Sequence, residues 1–540
     1  GHCRPHGLDF HCPVDPDFGG DLVLTDTSRP DLRDAQKIAL LLASTFVVAV
    51  SGLVYELVAG AAASYLLGDS VTQFSLVIGL FLTSMGVGAF ASRFVENAEA
   101  GFATSQIALG VVGGFSAPIL FATYAYLDGI TGVLFVIVFL CGALSGLEIP
   151  LITRILTAMG AGKHTLANVL TADYLGALAA ALAFPLLVVP QLGLMSASLA
   201  FGLLNLLVAG LTLWLFREIL GWGFRIVWAV AVIACTVALV RAESIVSVLD
   251  ATLYEDEVIV SQTTPYQQIT VTRFRDRTRL FLNQSIQFDS LDEHRYHEML
   301  VHPALARVAA PARVLVLGGG DGMAVREVLK DPRVQVVDLV DLDPAVTELF
   351  KNRDDLAVLN NFALHDPRVS VHNTDAWQFL SEAGDAYDLI IADLPDPSTL
   401  SLSRLYTREF YARMLERLSA TGLFVTQAGS PLFARAAFWS LEETLSGTRN
   451  PIAPGQGLWT QPLHVTIPSF GIWGFIIAGK MEPAPRALNF PDGMRYLTQG
   501  TFAAAQVFPP DMGKLEVEAN TMQTHALMRY YLDGWAEWFR

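Results

Sequence analysis

The hydrophobic pattern changes at about residue 241 and divides the chain into two unlike halves. Between Ile38 and Val240 the sequence carries few charges and consists mainly of apolar runs. A helix needs about 20 apolar residues to cross a bilayer. We therefore predict about seven membrane spans, near residues 38–62, 72–92, 103–126, 130–153, 167–189, 195–216 and 222–240.

Beyond Arg241 the pattern is that of a soluble domain. Residues 258–290 alternate and are rich in β-forming residues, which predicts a small antiparallel β unit. Residues 291–308 follow, with apolar positions at the three- and four-residue spacing of a helix.

The segment ARVLVLGGGDGMAVREVLK has the order strand, glycine turn, helix. Val314–Leu317 is a continuous apolar run, and residues 324–330 begin a helix. The turn between them contains Gly318 and Gly320, whose missing side chains let the backbone approach a ligand. The same turn carries Asp321, which would repel an anion and attract an ammonium or sulfonium group.

Each of the next three predicted strands also ends in aspartate. These residues are Asp341 and Asp343, then Asp375 beside Ala376, then Asp393 and Asp396. An acidic residue after the second strand of such a fold typically binds ribose hydroxyls. Single aspartates at strand ends are often helix caps, but a series on four successive strands predicts one site for a nucleoside and a cation.

These patterns predict an N-terminal all-α polytopic membrane domain and a C-terminal α/β Rossmann-like domain of the class I methyltransferase type, preceded by the small antiparallel β unit. The predicted boundaries are a polar tail over 1–37, the membrane domain over 38–241, a linker and small β domain over 242–300, and the Rossmann-like catalytic domain over 301–540.

Composition narrows the choice of partners. The net charge is −17, which argues against a nucleic-acid partner because such partners require basic patches. The His and Cys residues of the tail fit no standard metal-site spacing, and the chain has no CxxC pair. We therefore predict neither a metal nor a disulfide framework.

Three carboxylates, Glu56, Glu148 and Asp173, interrupt the predicted spans. Intramembrane charges are costly and usually face a cavity or a partner. One interpretation is a cation pathway or a binding site for a polyamine or a lipid head group. The other is that these groups pair with a neighbouring helix or lie near the membrane interface.

The motifs GGGDGMAVRE, DEHRYHEMLVHP and DLPDP, with the later FAAAQVFPPDM, resemble the spermidine synthase signature. The resemblance covers roughly residues 255–540, and the SGLVYE stretch of the first span is similar to that of multi-span bacterial members. It implies transfer of the aminopropyl group of decarboxylated S-adenosylmethionine to putrescine or a related amine, which gives spermidine and methylthioadenosine. It implies no metal or other cofactor, and a homodimer.

The resemblance also implies residue roles. The cosubstrate site would comprise Gln267, Gly318, Gly320, Asp321, Asp341, Asp375 and Ala376, with Asp321 on the aminopropyl ammonium. Asp393 would be the general base that accepts a proton from the attacking amine. The acceptor site would comprise Tyr296, His297, Asp396 and Phe470, with Asp393 also lining the channel. Glu298 of the same motif would face the distal amine.

Three positions depart from the family pattern. Phe470 stands where the family commonly has tyrosine, so a hydroxyl near the acceptor is lost. The family's LDG is Leu282, Asn283 and Gln284, and the loop that usually reads GPA is residues 398–401, Ser-Thr-Leu-Ser. The amine acceptor is therefore less firmly predicted than the cosubstrate.

Two alternatives stay open at this stage. One is an S-adenosylmethionine-dependent methyltransferase, which Asp321 disfavours because that cosubstrate carries a carboxylate. The other is a non-catalytic protein that binds or transports polyamines. We expect a multi-pass protein of the inner membrane with a cytoplasmic catalytic domain. The distribution of basic residues opposes that orientation. In a seven-span arrangement they lie on the same side of the membrane as the N-terminus, and basic residues are usually on the cytoplasmic side.

Overall fold

The computed structural model describes residues 32–67, 70–127, 129–242, 244–246, 254, 256–485 and 487–538. The predicted polar tail lies almost wholly outside the described residues, and so do its His and Cys side chains.

Helices account for the N-terminal half. They are α1 Leu32–Leu67, α2 Ser70–Ala91, α3 Ala98–Gly114, α4 Ser116–Tyr126, α5 Ile130–Gly146, α6 Glu148–Ala158, α7 Thr165–Ala183, α8 Val189–Leu215 and α9 Trp222–Val240, with a 3-10 turn at Ser92–Phe94 and a π-helical turn at Phe184–Val188. Exposed leucine, valine and phenylalanine side chains cover the outside of this bundle, as expected of helices that face lipid.

Among the described residues, six helical stretches are long and apolar enough to cross a membrane. The fifth of them, Thr165–Leu215, contains 51 residues and covers two of the seven predicted spans. At about 1.5 Å per residue it is more than twice as long as a hydrocarbon core of about 30 Å. Gly193 interrupts it with a φ of 68° and a ψ of 172°, so the helix breaks between the two predicted spans.

The predicted β unit is a four-stranded antiparallel sheet of order β1-β2-β3-β4. Its strands are β1 Glu257–Thr263, β2 Gln268–Phe274, β3 Arg277–Leu282 and β4 Ser285–Asp289. One face carries Ile269, Val271 and Leu280, which pack into the core of the following domain. The turn between β3 and β4 places Asn283 and Gln284 at φ values of 48° and 68°, a region that non-glycine residues rarely adopt.

The C-terminal domain contains a seven-stranded sheet of order β10-β11-β9-β8-β5-β6-β7. Its strands are β5 Arg313–Gly318, β6 Val336–Asp341, β7 Val369–Asn373, β8 Tyr387–Asp393, β9 Leu418–Gln427, β10 Trp459–Ile467 and β11 Gly471–Gly479. Strands β9, β8, β5, β6 and β7 are parallel, and β11 and β10 continue the sheet in antiparallel pairing.

Helices cover both faces of this sheet. They are α10 Glu293–Leu305, α11 Met323–Val328, α12 Pro344–Asn352, α13 Asp354–Ala357, α14 Ala376–Ser381, α15 Leu400–Ser403, α16 Arg408–Glu416, α17 Arg435–Ser446, α18 Gln499–Ala504 and α19 Ala526–Trp538, with 3-10 turns at Ala363–His365 and Arg404–Tyr406. A separate apolar core lies on each face. This is the predicted α/β Rossmann-like arrangement, and it brings the carboxyl ends of β8, β5, β6 and β7 to one edge.

The two halves of the chain meet at the turn between β3 and β4. The Tyr124 hydroxyl, at the end of the span Ala98–Tyr126, donates a 2.9 Å hydrogen bond to Gln284 Oε1. At the other end of the same span, Arg154 donates to the carbonyls of Val95 and Glu96 at 2.7 and 3.0 Å. The β unit and the basic residue Arg154 therefore lie at opposite ends of the helical bundle.

Candidate active site

The glycine turn after β5 lies directly against the end of β8. Gly318 and Gly319 have φ values of 78° and 66°, which favour glycine. A Cβ atom on Gly318 would lie 2.1 Å from the Asp393 carbonyl oxygen, and one on Gly320 would lie 2.7 Å from Asp341 Oδ2. Side chains here would therefore displace the two aspartates that the sequence assigns to the site.

Asp341 ends β6 and is held by backbone amides. Gly320 N–H donates to its Oδ2 at 3.0 Å, and Asp343 N–H donates to its Oδ1 at 2.9 Å. Burial raises the pKa of Asp341 to about 6 in spite of these two bonds. A group that donates hydrogen bonds to this carboxylate, such as a ribose diol, would favour its ionised form.

Asp321 is 7% exposed and lies close enough to Asp341 and Asp393 for their charges to interact; we call the region between these three carboxyl groups the crevice. Its Oδ1 accepts a hydrogen bond from Met323 N–H at 2.9 Å, and its carbonyl oxygen accepts one from Asn360 Nδ2 at 2.8 Å. Burial raises the pKa of Asp321 to about 6; the charge of His297 opposes this rise and that of Asp393 adds to it. The carboxylate is thus costly to ionise until a cation arrives.

Asp393 ends β8 and is bound by Tyr296, whose hydroxyl donates to Asp393 Oδ1 at 2.7 Å. His297 Nε2 lies 4.0 Å from Asp393 Oδ2. Burial raises the pKa of Asp393, while His297 and the Tyr296 hydroxyl oppose that rise. A carboxylate with a raised pKa is a stronger base than an exposed one, as a proton acceptor requires.

Glu293, one turn before His297 on α10, orients the imidazole. Its Oε2 lies 2.8 Å from His297 Nδ1, and Arg326 holds the same carboxylate at 3.1 and 2.8 Å. Burial lowers the pKa of His297, but the bond to Glu293 and the charges of Glu293 and Asp393 raise it by more, so the net shift is upward. The sequence motif contained Glu293, but sequence reasoning gave it no role.

Asp396 receives two hydrogen bonds from distant parts of the chain. The Tyr531 hydroxyl on α19 donates to Asp396 Oδ2 at 2.8 Å, and Gln427 Nε2 at the end of β9 donates to Oδ1 at 3.1 Å. Burial raises the pKa of Asp396, and these two bonds partly oppose the rise. Sequence reasoning missed both partners, and the amphipathic pattern of α19 was the only signal for Tyr531.

The other predicted cosubstrate residues lie near the carboxyl ends of β6 and β7. Asp375 caps α14 by accepting from Trp377 N–H at 2.7 Å, and it forms an ion pair with Arg404 from the loop after β8. Ala376 is buried behind it. Gln267 donates through Nε2 to Asp343 Oδ2 at 3.2 Å, which places its amide beside the β6 end.

Phe470 lies in the predicted acceptor region, with its ring centroid 6.0 Å from that of Tyr296.

Glu298 does not lie in the predicted acceptor region. Its carboxylate accepts three backbone N–H bonds, from Arg495, Tyr496 and Leu497, at 2.8, 2.9 and 2.7 Å, and it is 1% exposed. The expectation that Glu298 faces the distal amine was wrong, because these amides use its acceptor capacity.

The three carboxylates of the apolar helices, Glu56, Glu148 and Asp173, are not among the partners of these site residues. Glu148 is 3% exposed and interacts electrostatically with Asp173, and Glu56 is 9% exposed. Among the residues that the structure places, no ion pair is formed by any of the three, so the pairing interpretation finds no support there. Their role as a cation pathway or a binding site stays a prediction.

Comparison with known proteins identifies the family. Residues 293–486 match the spermine/spermidine synthase domain. A protein of Leptospira interrogans named polyamine aminopropyltransferase is 43% identical over 509 residues, which cover 91% of this chain and 98% of that protein. Polyamine aminopropyltransferase 1 of Ralstonia nicotianae is 42% identical over 527 residues, which cover 94% and 99%.

A solved structure of spermidine synthase in complex with the transition-state analogue AdoDATO is also similar. It is 24% identical, covers 47% of this chain and 85% of that chain, and has a TM-score of 0.42. The relatives from Leptospira and Ralstonia, unlike this structure, match along nearly the whole length. On that similarity, the chain belongs to the family of polyamine aminopropyltransferases.

Proposed function

We propose that this chain transfers the aminopropyl group of decarboxylated S-adenosylmethionine to putrescine or a related amine. The amine nitrogen forms a bond to the carbon that the sulfonium activates. The carbon–sulfur bond breaks, its electron pair stays on sulfur, and methylthioadenosine leaves as a neutral thioether. Before the attack, the ammonium of the acceptor loses a proton to Asp393, which leaves the nitrogen lone pair free to form the new bond.

The observation that carries this proposal is the contact between Tyr296 and Asp393 at the centre of an acidic crevice. The 2.7 Å hydrogen bond fixes Asp393 Oδ1 and leaves the second oxygen for the amine. Asp321 lies close enough to Asp393 for their charges to interact. A cosubstrate with a sulfonium and a free ammonium carries two positive charges, which can pair with these carboxylates.

Asp341 would bind the ribose hydroxyls, and Asp375, Ala376 and Gln267 would surround the rest of the nucleoside. Asp396 would hold the far ammonium of the acceptor, since Tyr531 and Gln427 fix its two oxygens. Phe470, whose ring contacts Tyr296, makes the channel less polar than a tyrosine would, so we propose an amine longer than putrescine as a second acceptor.

The test is methylthioadenosine release by the full chain purified in detergent, given decarboxylated S-adenosylmethionine and a panel of amines. Asp393→Asn should lower kcat at least 100-fold and leave cosubstrate binding intact, since a positioned base contributes about 10²–10⁴-fold. Exposed Asp276→Asn, at the β2–β3 turn, is the matched control. Full activity of Asp393→Asn would remove Asp393 from the mechanism.

We further propose that the chain is a multi-pass protein of the inner membrane with its catalytic domain in the cytoplasm, where the cosubstrate is made. The basic residues Arg93, Arg154, Lys163 and Arg217 favour the opposite orientation, since cytoplasmic loops are usually the basic ones. The chemistry decides between the two, because a catalytic domain outside the cell would lack its cosubstrate.

A single cysteine tests this orientation. Val507 is 69% exposed on the catalytic domain, whereas Cys141 and Cys235 are buried. In a chain with Cys3→Ser and Cys12→Ser, Val507→Cys should react with a membrane-impermeant maleimide only after spheroplasts are lysed. Reaction in intact spheroplasts would place the catalytic domain outside.

The expected homodimer stays a proposal. Within the chain, both faces of the β unit are occupied. Ile269 and Val271 pack into the core of the catalytic domain, and Thr270 and Thr272 on the opposite face are each 1% exposed. A dimer would therefore use another surface of the catalytic domain, and sedimentation of the protein in detergent would determine its subunit number.

A further inference from the structure

A cavity of about 360 Å³ lies where the membrane half meets the β unit. It is separate from the crevice of Asp321, Asp341 and Asp393, and no residue of that crevice lines it. Its lining residues are Tyr124, Tyr254, Asp256, Thr272, Arg279, Phe281 and Gln284. Three of these are aromatic, two carry neutral hydrogen-bonding groups and two are charged.

Polar atoms in the cavity wall lack partners. Thr272 is 1% exposed, and its hydroxyl has no hydrogen-bond partner among the described residues; the same holds for the buried Nε2 of Gln284. An unpaired buried polar group destabilises the folded state, because it has lost its hydrogen bonds to water. Gln284 also adopts a φ of 68°, a conformation that a glycine would adopt more easily. These costs are offset if a ligand binds both groups.

The position of the cavity indicates the kind of ligand. Tyr124 lies two residues before the end of the span Ala98–Tyr126, and its hydroxyl bonds to Gln284. Tyrosines at the ends of spans mark the level of the lipid head groups. A cavity at this level, partly open to the outside, can admit a head group while the acyl chains stay in the bilayer.

The charges in the wall balance one another. Arg279 and Asp256 are the two charged residues of the lining, and they pair at 3.3 Å. Outside the lining, Arg279 also pairs with Asp289 at 3.1 Å, and Asp289 pairs with Arg277. One cation and one anion leave no net charge in the wall, so neither an anionic lipid nor a free polyamine is favoured. A head group with one ammonium and one phosphate matches this balance.

We propose that this cavity binds the head group of a zwitterionic phospholipid of the phosphoethanolamine type. Its phosphate oxygens accept hydrogen bonds from Gln284 Nε2 and the Thr272 hydroxyl. Its ammonium lies between Asp256 and the aromatic rings, which attract cations. The bound lipid then links the β unit to the end of the span at Tyr124.

The experiment uses the full chain in detergent, titrated with phosphatidylethanolamine, phosphatidylglycerol or spermidine and read by native mass spectrometry and by the melting temperature. Phosphatidylethanolamine should bind at one site per chain and raise the melting temperature. Thr272→Val and Gln284→Gly should each weaken this binding at least tenfold. Asp276→Asn, exposed on the same sheet, should leave it unchanged.

Both test variants should keep the fold, although Gln284→Gly also removes the hydrogen bond from Tyr124. Thr272→Val replaces an unpartnered hydroxyl with a methyl of similar size, and Gln284→Gly removes the strained conformation. Equal binding of phosphatidylglycerol, displacement of the lipid by spermidine, or unchanged affinity in both variants would overturn the proposal. Methylthioadenosine release by the same variants measures the proposed catalytic function separately, so the two ideas can fail independently.

Discussion

Replacing Asp321 with asparagine should stabilise the ligand-free protein while it weakens binding of the cosubstrate. Asparagine keeps the acceptor for Met323 N–H, which now bonds to Asp321 Oδ1 at 2.9 Å, and removes a buried negative charge. The folded domain therefore loses an unfavourable charge without losing that hydrogen bond.

The size of the effect follows from the pKa of Asp321. Burial raises it from 3.8 to about 6, and each pKa unit corresponds to about 1.4 kcal/mol. The folded state holds the proton more tightly than the unfolded state does, so the unfolding free energy falls as the pH rises from about 4 to about 6. At pH 8 the charge costs at most about 3 kcal/mol, or roughly 6–12 °C in melting temperature.

The measurement is the melting temperature of the full chain in detergent, without ligands, between pH 5 and pH 8. Asp321→Asn should melt above the wild type at pH 8, and the difference should shrink towards pH 5, where the wild-type carboxyl is largely protonated. Asp276→Asn should follow the wild type throughout. A difference that does not change with pH, or a variant that melts below the wild type at pH 8, would refute the reasoning.

Three further variants test individual contacts. Tyr531→Phe removes the 2.8 Å hydrogen bond to Asp396. Because hydrogen bonds to charged groups are among the stronger ones, kcat/KM for the amine should fall about tenfold, and the KM for the cosubstrate should not change. Phe470→Tyr should raise kcat/KM for putrescine relative to longer amines; an unchanged ratio would exclude Phe470 from acceptor selection. Glu298→Gln should lower the melting temperature, because it places an amide donor against backbone N–H groups; unchanged melting would contradict that role.

The core of the site could be predicted from the sequence because it depends on short-range order. Each aspartate follows its own strand, and parallel strands bring their carboxyl ends to one edge. Gly318 and Gly320 follow the same logic, since the close approach of Asp393 and Asp341 leaves no room for a side chain.

The parts that could not be predicted depend on contacts between distant residues. Tyr531 lies 135 residues from Asp396, and no local pattern distinguishes it from the other aromatic residues of α19. Glu298 belongs to the same short motif as Tyr296 and His297, but the backbone of residues 495–497 covers it. The motif shows which residues share a helix but does not show which of them face the crevice.

The charge of the crevice also explains why it is suited to a decarboxylated cosubstrate. Burial raises the pKa values of Asp321, Asp341, Asp393 and Asp396, so these carboxyl groups resist becoming fully ionised together. A sulfonium and an ammonium would favour the ionised forms, and each carboxylate would then contribute to binding. S-adenosylmethionine brings a carboxylate to the same region, where a negative charge near Asp321 would cost several kcal/mol at a separation of about 4 Å. If Asp321 binds the aminopropyl ammonium as proposed, these acidic residues select an aminopropyl donor over a methyl donor.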